Sequence, residues 1–208
     1  MAAGAALRAL HGSRDLVGPA GRLPLYAWIL IVQLLLFWFV RTGIVRSGGS
    51  VRALLDQSPW TLRRWARYIG IAVVGWVLWM ISGAVLSSFL KPNPDELRAI
   101  LQFLPRGLLE KLCWVAFSVI TNFCEEILYR GYLMRQFSAL TGSPAIALLL
   151  QTVVFAVGHV SLGLSIVISV SLLAVCLGAL TLWQKSLVPA MIMHAGISLS
   201  GGLLFSPP

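Results

Sequence analysis

"YIGIAVVGWVLWMISGAVLSSFL", residues 68–90, contains no charged residue and is bounded by Arg67 and Lys91. A helix needs roughly 17–25 apolar residues to cross a bilayer, so this stretch decides the solvent in which the chain folds. Two other runs read the same way, "LYAWILIVQLLLFWFV" (25–40) and "LGLSIVISVSLLAVCLGALTLW" (162–183). Three less clean runs cover 107–124, with Glu110 and Lys111 at its start, 145–160 and 187–205. Together they predict about six embedded helices. Composition agrees: 58% of the 208 residues are hydrophobic and 11% are charged, with a mean hydropathy of +0.87. Soluble domains are not built this way. The expected fold class is all-α, a polytopic membrane helical bundle in an integral, multi-pass protein. Three regions are expected: a basic N-terminal arm (1–24), N-terminal membrane helices with a basic loop (25–106), and a membrane core (107–208).

The net charge of +9 invites a nucleic-acid reading, but its distribution argues against one. Arg41, Arg46, Arg52, Arg63, Arg64 and Arg67 lie between the first two apolar runs, with Asp56 as the one acid among them. Juxtamembrane basic clusters mark cytoplasmic loops and anionic headgroups, so the expected partner is the lipid bilayer and not nucleic acid. Arg8, Arg14 and Arg22 make the N-terminal arm basic as well, so charge alone does not orient the chain. The first apolar run is followed by Arg41 rather than a small-residue cleavage site, which predicts a retained helix. "SVRALLDQSPWTLRRWARYIG" reads partly as an interfacial helix, with Trp60 and Trp65 at headgroup level. Cys113, Cys124 and Cys176 sit in apolar runs without paired spacing, so neither a disulfide framework nor a cysteine metal cluster is expected. Turns are expected at "KPNPDE" (91–96), "TGSPA" (141–145) and "QKSLVP" (184–189), and Ser143–Pro144 predicts the start of a helix.

Carboxylates are scarce. Beyond residue 100 there are only Glu110, Glu125 and Glu126. A charge at the centre of a bilayer costs roughly 2.5–3.5 kcal/mol on insertion scales, so embedded charges usually face the bundle interior and serve a function. The apolar context from residue 120 onward holds Glu125, Glu126, Arg130, His159 and His194. On an α-helix Glu126 and Arg130 share a face, acid before base. Glu125 then points about 100° away, leaving one carboxylate paired and the other free to accept a proton. Tyr129, four residues after Glu125, is its expected hydrogen-bond partner. Phe155 and His159 share a face, as do His194 and Ser198. Each residue has a plain structural reading: an intramembrane histidine often only bridges helices, and Glu126–Arg130 alone is more often a structural pair. Their coincidence in one apolar stretch favours a site.

In this order the motifs resemble the type II CAAX prenyl endopeptidase and bacteriocin-processing family, called CPBP or Abi. Its pattern is EExxxR, FxxxH, then HxxxN or a similar polar residue in place of the asparagine. Here it reads Glu125-Glu126-Ile-Leu-Tyr-Arg130, Phe155-Ala-Val-Gly-His159 and His194-Ala-Gly-Ile-Ser198. The resemblance covers roughly residues 122–198 and implies an intramembrane endopeptidase acting on a membrane-associated protein or peptide. It implies Glu125 and His159 as activators of a water, His194 and Ser198 as the oxyanion side, and Glu126, Arg130 and Phe155 as support. The departure is Ser198, where asparagine is common. A serine offers one donor on a shorter side chain.

No cofactor is expected to be required, although Glu125, His159 and His194 form an alternative zinc set with an open position. Cys124 as a nucleophile is disfavoured, because a thiolate is costly in apolar surroundings. Two other classes share these features: a non-catalytic sorting or immunity partner on the same fold, and a small transporter, for which no internal repeat is visible. One geometric difficulty stands out. Simple hairpins would leave His159 and His194 at different depths, and no Asp, Glu, Lys or Arg occurs between Arg135 and Lys185 to anchor the turn at 158–163. The turn is therefore expected to be sunk into the bundle, where it lines a wet cavity. The cell membrane is the expected location if the source is bacterial.

Overall fold

The computed structural model of the chain describes residues 21–56 and 58–205. Most of the expected basic arm, including Arg8, His11 and Arg14, lies outside the described residues. Arg22 is described and is buried, with Nη1 3.7 Å from Glu110 Oε2.

The six expected helices are present as α1 (Leu23–Arg46), α3 (Leu62–Phe89), α5 (Gly107–Glu125), α7 (Pro144–Val157), α8 (Leu164–Gln184) and α9 (Val188–Leu204). Two shorter helices join them in the N-terminal part, α2 (Val51–Leu55) and α4 (Pro94–Phe103). Between α5 and α7 the chain stays helical through a π-helical segment, Glu126–Leu133, and α6 (Met134–Thr141). Leu23–Arg46, Leu62–Phe89, Gly107–Thr141 and Leu164–Gln184 are long and apolar enough to cross a membrane, while α7 and α9 are shorter apolar helices.

The molecule is an all-α membrane bundle, with polar groups inside and apolar groups outside. Trp28, Leu35 and Phe39 of α1 and Val74, Leu78 and Ile81 of α3 are exposed. Ser118, Asn122, Glu126, Arg130, Gln151 and His194 are buried. That distribution suits lipid as the outer solvent, where apolar surface needs no covering and polar groups gather between helices.

Three apolar clusters set the helices in place. Tyr26 packs with Trp114 and Phe117, fixing the start of α1 on α5. Val40, Ile44, Leu54, Ile127 and Leu187 join the end of α1 to α2, the π segment and the α8–α9 turn. Ala72, Leu173, Leu177, Ala190 and Met193 lock α3, α8 and α9 together. Small residues on α9 allow close approach. A side chain at Gly202 would collide with the Trp114 ring, and the Trp114 indole N–H donates to the Ser198 carbonyl at 3.0 Å.

The polar stretch 91–96 is more than the expected turn, because it begins α4. Asn93 accepts from the backbone N–H groups of Asp95 and Glu96, and Glu96 accepts from the N–H of Asn93. This reciprocal capping box, with Pro94 at the helix start, specifies a helix. The 158–163 turn is not sunk into the bundle as expected: Gly158, Val160 and Ser161 are exposed, and Glu96 of α4 anchors the turn from outside. Its carboxylate accepts from the Leu164 N–H at 2.7 Å and the Ser165 hydroxyl at 2.9 Å. The anchor comes from a segment remote in sequence, so it does not show in residues 135–185. Gly163, at φ +100°, leaves no room for a Cβ beside Glu96.

Asp56 ties the basic loop to the α8–α9 turn. It accepts from the Tyr68 hydroxyl at 2.6 Å and the Ser58 N–H at 2.8 Å, and its backbone forms an antiparallel bridge with Ser186. Burial opposes the charge of Asp56, but these hydrogen bonds and Arg64 outweigh it and hold the carboxyl below the ordinary carboxylate range. A depressed carboxyl adds stability above the unfolded value, and that stability is lost as pH falls through the folded one. Asp56→Asn should therefore lower the melting temperature in detergent at pH 7. The wild type should lose the same increment only well below about pH 4. Equal melting of both proteins at pH 7 would refute this. Trp60 and Trp65, expected at headgroup level, form an edge-to-face pair at 5.2 Å beside this knot.

Candidate active site

The motif residues come from three helical stretches that converge inside the bundle. Glu125 closes α5, and Glu126 and Arg130 lie in the π segment. Phe155 is near the end of α7, His159 just beyond it, and His194 on α9.

Glu126 and Arg130 are fully buried and pair as expected, Oε1 to Nη1 at 2.9 Å. The Arg130 guanidinium also lies over the Phe155 ring, 4.7 Å from its centroid. The unexpected partner of Glu126 is His194, whose Nδ1 is 2.8 Å from the same Oε1. A carboxylate only accepts, so this Nδ1 carries the proton. The other ring nitrogen, Nε2, faces Glu125 Oε2 at 4.0 Å, too far for a direct hydrogen bond. The two glutamates therefore address opposite edges of one imidazole. The helix here widens into π geometry at Glu126, and such segments are frequent at functional sites.

His159 joins from the other side. Its Nδ1 is 2.9 Å from the Phe155 carbonyl, which can only accept, so the neutral ring leaves Nε2 as an acceptor. Phe155 is the shared wall, with ring centroids 4.7 Å from His159 and 6.2 Å from His194. The depth mismatch expected from simple hairpins therefore does not arise. Both histidines lie within electrostatic reach of Glu125.

Ser198 sits one turn beyond His194. It does not bond back to the His194 carbonyl. Its hydroxyl donates to Asn122 Oδ1 at 3.3 Å, and the Asn122 amide donates to the His194 carbonyl at 3.4 Å. Asn122 was passed over in the sequence, although it stands three residues before Glu125 in an apolar helix. A second omission is Gln33. Its amide donates to Glu125 Oε1 at 2.8 Å, in the place expected for Tyr129. The Tyr129 ring instead packs edge-on against Phe155 at 4.9 Å. The available signal was a lone polar residue inside the run 25–40.

Among the described residues, no group of three or more His, Cys, Asp or Glu side chains is placed to hold a metal ion. Cys124 is a buried free thiol next to Glu125.

Searches of the curated proteins and of the solved structures gave no match. Residues 107–200 match the family described as Type II CAAX prenyl endopeptidase Rce1-like. The matched segment opens with α5 and closes within α9, so it carries every motif residue and omits α1 to α4. The peptidase resemblance read from three short motifs thus extends over residues 107–200, the stretch of the chain that is similar to the Rce1-like CAAX protease family.

Proposed function

We propose that the chain is a multi-pass, glutamate-type intramembrane endopeptidase that hydrolyses a peptide bond in a membrane-associated protein or peptide. The observation that carries this reading is the imidazole of His194 held between two carboxylates in the interior of the bundle.

Glu126 fixes the ring by accepting from Nδ1, and Arg130 neutralises Glu126. With both its nitrogens protonated, His194 would balance Glu125, so that the four groups sum to zero in an apolar medium. A water placed between Glu125 Oε2 and the Nε2 of His159 gives its proton to Glu125 as its oxygen attacks the scissile carbonyl carbon. The carbonyl oxygen becomes an oxyanion and is held by the His194 Nε2–H, with Ser198 as second donor. Collapse breaks the C–N bond, and Glu125 returns the proton to the departing amine. No thiolate or bound metal takes part in this scheme. Substrates with a prenylated C-a-a-X tail are one class it would accept, and membrane-anchored peptides are another.

Quantitative mapping of protein termini, in cells carrying the wild type or Glu125→Gln, tests the reading. New termini on membrane-associated proteins should appear with the wild type alone. Identical termini in both would overturn it.

Ser198 has its own test. Losing one oxyanion donor typically costs 10²–10³ in rate. Ser198→Ala should lower kcat by roughly that factor with little change in KM, because the bond strengthens only in the transition state. Ser198→Asn should keep or raise activity. A kinetically silent Ser198→Ala would leave Ser198 as a brace for Asn122.

A further inference from the structure

Gln33 is the one polar side chain in the apolar run 25–40. It lies seven residues after Tyr26 and seven before Val40, two of the buried anchors of α1, and so shares their stripe. The helix is fastened on α5 at one end and on α2 and the π segment at the other. Its middle therefore presents Gln33 to Glu125.

An amide at this depth is costly unless hydrogen-bonded. Among the described residues, its one side-chain hydrogen bond is the donation to Glu125 Oε1 at 2.8 Å. Its own Oε1 is buried and accepts from no group among the described residues. Packing does not require an amide here, since Val32 and Leu34 flank it on the same helix. The feature its chemistry matches is the carboxylate. Because Gln33 takes Oε1, the other oxygen, Oε2, is the one turned toward His194.

We infer that Gln33 is a positioning residue of the active site, supplied by α1 from outside the family segment 107–200. It holds the Glu125 carboxylate in one rotamer and one orientation by donating to Oε1. The N-terminal helix is thus a working part of the catalytic unit. This rests on the reading of Glu125 as the base, and the test separates the two.

Full-length wild type, Gln33→Leu and Gln33→Met are reconstituted in phosphatidylcholine vesicles. Dicyclohexylcarbodiimide, an apolar reagent that adds to protonated carboxyls, is applied at pH 7. The rate of Glu125 modification is read by mass spectrometry, with Glu125→Gln as the blank. A hydrogen bond to a charged group favours the ionised form, so removing it should speed labelling. The expected increase is roughly ten- to hundredfold in both variants. Melting temperatures should stay at or above the wild-type value, since each change puts an apolar group on an apolar helix. In parallel, cleavage of a farnesylated peptide ending in C-a-a-X should show kcat falling about tenfold or more with KM nearly constant. Faster labelling in both variants supports the inference even if the wild type leaves this peptide intact, a result that would count against the peptidase reading alone. Wild-type labelling rates in both variants would overturn the inference, whatever the peptidase result.

Discussion

Glu125→Gln should abolish cleavage while the protein still inserts, folds and melts as the wild type does. The amide has the shape of the carboxylate and can still accept from Gln33 at its oxygen, and the facing His194 nitrogen, 4.0 Å away, is too distant for a direct hydrogen bond that the change would break. What is lost is the capacity to take a proton from water. A positioned general base is worth roughly 10²–10⁴ in rate, and turnover should fall by at least that factor. Steady-state kinetics and thermal unfolding in the same detergent decide the matter. Near-normal turnover of Glu125→Gln on an identified substrate would remove Glu125 from the role of base.

Glu126→Gln and Arg130→Ala should instead unfold the site. Both side chains are fully shielded, and their contact at 2.9 Å is the means by which two charges are tolerated there. Removing one partner of such a pair typically costs roughly 3–5 kcal/mol, because the other is left uncompensated. Arg130→Ala also takes the cation off the Phe155 ring, the wall shared by both histidines. Both variants should melt earlier in detergent as well as lose activity. An unchanged melting temperature for Arg130→Ala would show that the pair is not structural.

The contrast between these two glutamates was partly visible in the sequence. Spacing alone paired Glu126 with Arg130, and run length alone placed the six apolar helices, because both are local properties. The attachment of His194 to Glu126 was not visible, since it depends on how α9 docks against a widened helix, and no local pattern announces an i to i+5 turn. Gln33 was hidden for another reason: one polar residue barely lowers the hydropathy of a long apolar run. The helix α4 was hidden because it is short and mixed in character, although Asn93 and Glu96 spelled out its cap. The Glu96 anchor of α8 joins positions 68 residues apart, a separation that a reading of consecutive residues does not bridge.

The π segment makes the length of this region as informative as its composition. A π turn holds one more residue than the α-helix it interrupts. Deleting a single residue between Ile127 and Tyr129 would let the chain relax into regular α-helix, so the frame would tolerate a loss that most helices resist. The same deletion would rotate everything before it by about 100° relative to everything after it. Glu125 and Arg130 would then look out in unrelated directions from a well-formed rod. Across a set of natural variants, insertions and deletions at this spot would therefore separate chains that still cleave from chains that keep only the scaffold, even where every motif letter is retained.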